Sequence, residues 1–278
     1  MQNLHLNNLS VIKPKLPPMN KITTARVVCA VASLTTACGL TAGAQTLDLQ
    51  LKAVNYNDIT GVWTDTSGNG DTATYSGSST PTLVAGATPN GSSAVNLTGA
   101  GSLLLNTSLA AGSGYTIFAY IMPATDGGTR NALTGGSSST ALEYDVYNGH
   151  ADFLTEYTAD VAHGNATLPT TSFSLIDLAV NSSGSSFNLN GASDGTGAGA
   201  TFGNPITRIG NNEGGGDGYV GDIAEIDIYS GVLSAGQISA VESQFTAEYV
   251  TSVPEPSTWA MLAGGLGMLP LVRRFRGQ

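Results

Sequence analysis

Gly221-Asp222-Ile223-Ala224-Glu225-Ile226-Asp227-Ile228-Tyr229, closely followed by Leu233-Ser234, carries two periodicities in succession. Ile226 and Ile228 alternate with Glu225 and Asp227. A period of two places the apolar pair on one face of a β-strand and the carboxylates on the other, toward solvent. Beyond it, Ile238, Val241, Phe245 and Tyr249 recur at spacings of three and four, one face of a helix. Ser234 and Gln237 stand at the N-cap and N3 positions of a capping box. A last strand running into a short helix is therefore expected at the end of the body.

The pattern continues backward from this stretch. Short apolar runs occur at Leu47–Leu51, Ala94–Leu97, Ser102–Leu105, Tyr115–Ile121, Leu142–Tyr147, Phe173–Val180, Ser186–Leu189 and Ile206–Ile209, with Gly, Asn, Asp and Ser between them. Roughly ten strands of this kind bury their apolar faces by pairing as two sheets, which predicts an all-β antiparallel sandwich or jelly roll. Composition agrees. Hydrophobic residues make up 41% and charged residues 11% of the 278, against a usual charged share of about 25%. The 36 glycines suit turns between strands better than helices.

Charge is unevenly distributed. Lys13, Lys15, Lys21 and Arg26 lie at one end, and Arg273, Arg274 and Arg276 at the other. Between Gln45 and Ser252, three basic residues face nineteen acidic ones, a net charge of −16. Such a body repels nucleic acid, whose binding rests on Lys and Arg contacts to phosphate. Both cysteines, Cys29 and Cys38, fall in the leading apolar segment, so the body has neither disulfides nor thiolate ligands.

The two ends read as addresses. Residues 1–44 comprise an extension and a secretory signal. Lys21 and Arg26 form the basic region, Val27 to Leu40 the apolar one, and Ala42-Gly43-Ala44 the small residues before a cut at Gln45. Residues 251–278 hold Val253-Pro254-Glu255-Pro256, then an apolar run, then Arg273, Arg274 and Arg276. The prolines stiffen an extended peptide, the run is marginally long enough for a membrane helix, and the arginines stay cytoplasmic. This order resembles the PEP-CTERM sorting signal, although Pro270 would kink the helix. The resemblance implies a signal peptidase, an exosortase-like processing enzyme and the membrane as partners. It implies a final location at the cell surface or in the extracellular matrix of a Gram-negative bacterium.

Residues 45–250 resemble the laminin-G-like, concanavalin A-like jelly roll. The resemblance rests on Trp63-Thr64-Asp65-Thr66-Ser67-Gly68-Asn69-Gly70 and on the closing strand and helix. It implies a scaffold shared by glycan- and protein-binding modules and by polysaccharide-active enzymes.

The catalytic reading is weak. Glu225-Ile226-Asp227 is similar to part of a laminarinase signature, but the next residues on that face, Tyr229 or Ser230, are not acids. A retaining hydrolase needs two carboxyl groups about 5 Å apart. His150 and His163, near Asp152 and Asp160, match no zinc spacing and read as isolated surface histidines. Oxygen donors suited to calcium stand in two Gly-rich turns, Asp65, Asn69 and Asp71 in one, Glu213, Asp217 and Asp222 in the other. Asx turns need no ion, so no cofactor is required. For a glycan, Trp63, Tyr144, Tyr147 and Tyr157 are the aromatic candidates. The expected function is that of a non-catalytic exported surface or matrix protein with glycan or protein partners. Its alternatives are a secreted polysaccharide-active enzyme and a purely structural matrix component.

Overall fold

A computed structural model describes residues 45–110, 112–124, 131–136, 142–154, 160–212 and 216–251. All belong to the unit Gly43–Gln278; the other unit, Met1–Ala42, lies outside the described residues. So do the signal residues Ala42 and Ala44, the sorting motif and the arginine cluster.

The strands are β1 (Leu47–Lys52), β2 (Tyr56–Asn57), β3 (Val62–Thr64), β4 (Thr72–Gly77), β5 (Thr82–Val84), β6 (Ala94–Thr98), β7 (Gly101–Leu109), β8 (Gly114–Pro123), β9 (Asn131–Ala132), β10 (Thr134–Gly136), β11 (Glu143–Tyr147), β12 (His150–Leu154), β13 (Asp160–His163), β14 (Ser174–Asn181), β15 (Gly184–Leu189), β16 (Ala192–Gly197), β17 (Ile206–Ile209) and β18 (Val220–Ser230). Helix α1 (Ala235–Phe245) follows and continues into a π-helical turn, Thr246–Val250.

The strands pair antiparallel as three sheets. The largest runs β16-β15-β14-β8-β18-β6-β5, with β1 also on β18. One edge of β18 pairs with β8 along its length; the other edge is divided between β6 and β1. The second sheet runs β10-β17-β7-β4-β3-β2 and the third β13-β12-β11-β9. A backbone bond from Leu133 N to Tyr144 O, 2.8 Å, joins the last two.

The core lies between the large sheet and the other two. Ile117, Ile121, Ile176, Leu178, Ile226 and Ile228 meet Trp63, Leu103, Ile209, Tyr144 and Val146 there. The opposite face of the large sheet is also covered. Phe118, Tyr120, Leu175 and Ala224 pack under Ile238, Val241, Phe245 and Tyr249 of the helical segment. Each fully buried Ile, Leu or Phe contributes about 1.5–3 kcal/mol. Burial on both faces explains why β8, Gly-Tyr-Thr-Ile-Phe-Ala-Tyr-Ile-Met-Pro, reads as one nearly continuous apolar run.

Two expectations need correction. The carboxylates of the closing strand do not face solvent. A bulge between Ile223 and Glu225 resets the register of β18 on β8, and helix and π turn cover the side bearing Glu225 and Asp227, which are 2% and 3% exposed. The helix starts with the predicted capping box, Ser234 and Gln237 bonding reciprocally. It ends differently. Thr251 N donates to Thr246 O, five residues back, so Tyr249 stands on a π turn, from which its hydroxyl reaches Glu225 Oε2 at 2.7 Å. Among the described residues, no helix is long and apolar enough to cross a membrane.

Candidate functional site

Asn148-Gly149 joins β11 to β12 with both residues at positive φ, 50° and 81°. That is the two-residue turn whose twist matches a hairpin, and it locks the pairing that follows. Tyr147 lies opposite His150, Asp145 opposite Asp152, and on the next strand Asp152 opposite His163. Directly opposed residues share a face. Tyr144, Val146 and Ala151 fill the core, so the alternating set, Glu143, Asp145, Tyr147, His150, Asp152 and His163, occupies the other face.

Exposure is graded across this face. Asp145 and Asp152 are 0% and 1% exposed, Tyr147 and His150 are half-buried, and His163 is exposed. The imidazole centroids of His150 and His163 are 6.2 Å apart. His150 Nδ1 lies 3.1 Å from the carbonyl oxygen of Ala166, and because a carbonyl only accepts, Nδ1 carries the proton. In the neutral imidazole Nε2 is then the acceptor nitrogen. The neighbouring loop is pinned to β16. Ala166 N donates to Asp194 Oδ1 at 2.7 Å, and Asn165 N to Asp194 O at 2.9 Å. Gly164 sits so close to Asp194 that a Cβ there would meet Oδ2 at 2.1 Å.

The face therefore combines a carboxylate floor with a rim bearing a phenol ring and two imidazoles. Nε2 of His150 can accept a hydrogen bond from a hydroxyl group and a tyrosine ring offers an apolar face with a polar tip, while the carboxylates beneath are closed to a ligand. Sequence reading took the two histidines as isolated surface residues. The structure brings them together, and the signal that would have found them is Asn148-Gly149, which fixes the register.

The other sequence candidates are placed differently. Trp63 is fully buried, Nε1 donating to Lys52 O at 2.7 Å, and its ring offers no face to a ligand. Tyr144 is also fully buried, and burial raises its hydroxyl well above the usual range, with the charges of Asp177, Asp194 and Asp145 adding to the effect. Tyr147 alone of the predicted aromatics reaches the candidate face; Tyr157 lies outside the described residues.

The first proposed calcium turn is closed by its own hydrogen bonds. Asp65 Oδ1 accepts from Gln50 N at 2.8 Å and Ser67 N at 2.9 Å, and Oδ2 from Ser67 Oγ at 2.6 Å. Asn69 Nδ2 donates to the carbonyls of Leu47 and Asp48, while Asp71 is 7% exposed. In the second turn Asp217 pairs with Asn212 and Asp222 with Asn96, and Glu213 lies outside the described residues. Among the described residues, no three His, Cys, Asp or Glu side chains are grouped to hold a metal. Gln45, the predicted first residue after signal removal, donates from Nε2 to Val232 O at 2.9 Å.

Glu225 and Asp227 form a buried pair. Gln50 Nε2 donates to both, at 2.9 and 3.4 Å, and Lys52 Nζ lies 3.6 Å from Glu225 and 2.5 Å from Glu248. Burial raises the Asp227 carboxyl well above its usual range, and Glu225 beside it raises it further. Burial raises Glu225 too, opposed by the Tyr249 hydroxyl and Lys52. The pair lies buried beneath the helical segment.

Comparison with known proteins agrees with this architecture. Residues 90–239 match the family described as the concanavalin A-like lectin/glucanases superfamily. No curated protein matches the chain. Among solved structures, domain 4 of AbnA, a GH43 extracellular arabinanase from Geobacillus stearothermophilus in complex with arabinotriose, is 17% identical with a TM-score of 0.56. The match covers 71% of this chain and 98% of that one. The binding domain of Paraclostridial Mosquitocidal Protein 1 is 14% identical with a TM-score of 0.54, over 72% of this chain and 52% of its own. The binding domain of botulinum neurotoxin DC, in complex with rat synaptotagmin II, is 10% identical with a TM-score of 0.53, over 72% and 51%. The chain thus spans about half the length of the toxin domains. At these identities the likeness concerns the fold.

Proposed function

We propose, from the premise that the chain belongs to the concanavalin A-like lectin/glucanases superfamily, that it is an exported, non-catalytic surface or matrix protein whose β11–β13 face binds glycan. The observation that carries this reading is the rim of Tyr147, His150 and His163 around the buried Asp145 and Asp152. Sugars present hydroxyl edges and apolar ring faces, and this face offers the imidazoles of its rim for the first and the Tyr147 ring for the second. One structural neighbour holds a sugar and another a protein, so glycan is the reading favoured by the chemistry of the face itself.

The non-catalytic part rests on burial. Glu225 and Asp227 lie beneath the helical segment, and Asp145 and Asp152 are closed to within 1% of full burial. The export part rests on the sequence, in the signal-like leader, the PEP-CTERM-like tail with Val253-Pro254-Glu255-Pro256, and the exosortase-type processing that such a tail implies.

Glycan arrays followed by calorimetry on the secreted protein test the reading. Binding of an oligosaccharide is expected, weakened at least about tenfold by Tyr147→Ala or His150→Ala with little change in melting temperature. A chelator leaves it unchanged, since no cofactor is assigned. Affinity indifferent to both substitutions removes the face from consideration, and release of reducing ends from the bound glycan replaces binding by hydrolysis.

A further inference from the structure

A cavity lies between the helical segment and the outer side of the large sheet, and no residue of β11–β13 is among its described lining. Its volume is about 370 Å³. Tyr120, Phe173, Leu175, Phe245 and Val250 supply most of the wall, and Glu242 is the single charged residue among the described lining. The aromatic part is a stacked column. The ring of Tyr120 lies between Phe173, centroids 5.2 Å apart, and Tyr249, 5.1 Å apart, and Phe245 stands 6.0 Å from Tyr249.

The carboxylate in this wall is part of a built polar group. Asn188 Nδ2 donates to Glu242 Oε1 at 3.2 Å and to Asp177 Oδ1 at 3.0 Å. Asp177 is 1% exposed. Burial, then the charge of Glu242, pushes its carboxyl up to about 8, which favours the protonated form of Asp177 at neutral pH.

We propose that this cleft binds an organic ammonium ion, a protonated amine carried on a ring or short chain. The apolar wall lowers the local dielectric, which strengthens the attraction between a cation and the carboxylate set in it. Glu242 supplies the counter-charge, and no Lys or Arg is among the described lining to compete for it. The surrounding body, with its net −16 between Gln45 and Ser252, concentrates cations and repels anions. A cation seated at Glu242 also screens the charge that helps Asp177 keep its proton. Occupancy therefore releases part of a proton to solvent.

Calorimetric titration of the full secreted protein with benzylammonium and with benzyl alcohol tests this, in two buffers of different ionisation heat at about pH 7. The amine should bind at least about tenfold more tightly than the alcohol of nearly the same shape, and Glu242→Gln should abolish the difference. Its heat should differ between the buffers, and the difference should vanish in Asp177→Asn. Glu242 is half-buried on the helix, and an unchanged melting temperature will certify the Gln variant. Tyr147→Ala serves as the control that leaves this cleft untouched, so failure here is distinct from failure at the glycan face. Glucosamine trisaccharide and butylammonium, run in parallel, separate a sugar amine from a lysine head, the tighter one naming the source. Equal binding of amine and alcohol, no saturable amine binding, or indifference to Glu242→Gln each overturns the proposal.

Discussion

Asp177 and Asp227 stand one strand to either side of Phe118 on the same face of the large sheet, and both are buried. An acid so placed is stable in the neutral form, because burial penalises the charge and a second carboxylate, Glu242 or Glu225, repels it. Each therefore binds its proton more tightly folded than unfolded, and the sign of the linkage follows. The stabilisation from Asp177 is complete below its ordinary value of 3.8, erodes as pH rises above that, and is gone once pH passes about 8. Asp227 acts in the same direction. The melting temperature should accordingly fall between about pH 4 and pH 8. Asp177→Asn imitates the protonated acid, keeping an acceptor for Asn188 and a donor toward Glu242. It should flatten part of that fall and exceed the parent in stability at the alkaline end. A melting curve as steep in the variant as in the parent would mean that Asp177 is ionised in the fold.

At the scale of elements, the β11–β12 hairpin and the capped helix carry the two candidate sites. Gly149 holds φ 81° in the hairpin turn, where a Cβ costs roughly 1–2 kcal/mol. Gly149→Ala should lower stability by about that much and weaken glycan binding, because the same turn sets Tyr147 opposite His150. Ser234→Ala removes the N-cap acceptor for Gln237 N and should cost about 1 kcal/mol, measured by urea unfolding. The helix and the strands with large apolar residues were legible in the sequence. Ile, Leu, Val, Phe and Tyr mark β1, β6, β7, β8, β11, β14, β15, β17 and β18 well enough to place them. Strands such as β4, Thr-Ala-Thr-Tyr-Ser-Gly, and β16, Ala-Ser-Asp-Gly-Thr-Gly, were not. They bury Ala73 or Asp194 inward, small or polar side chains that give almost no hydrophobic alternation. The proposed glycan face was illegible for a related reason. Its members sit on three strands, and their meeting depends on register, which Asn148-Gly149 encodes and apolar periodicity does not. The acidic face of β18 was read correctly as one-sided, but whether water or a helix covers a strand face is decided by packing far along the chain.

At the scale of the whole molecule, the two ends of the described body converge. β1 lies on β18, Gln45 Nε2 reaches Val232 O, and Lys52 bridges Glu225 of the sheet and Glu248 of the π turn. The described core clusters draw on residues from Leu49 to Tyr249. The contacts that close the described body are made within residues 45–251, which fits the proposed removal of the leader and the PEP-CTERM-like tail. The charge division points the same way. Seven of the ten basic residues stand outside Gln45–Ser252, so processing would turn a chain of net charge −10 into a strongly acidic body suited to remain in solution or matrix. Intact mass spectrometry of the protein from its native cells and medium should therefore find a species that begins at Gln45 and ends near Pro254-Glu255-Pro256. A mass that retains Arg273, Arg274 and Arg276 would instead make the tail a permanent anchor, leaving the body exported but overturning the sorting mechanism. A mass that retains residues 1–44 would overturn export itself, and with it the assignment of a glycan outside the cell.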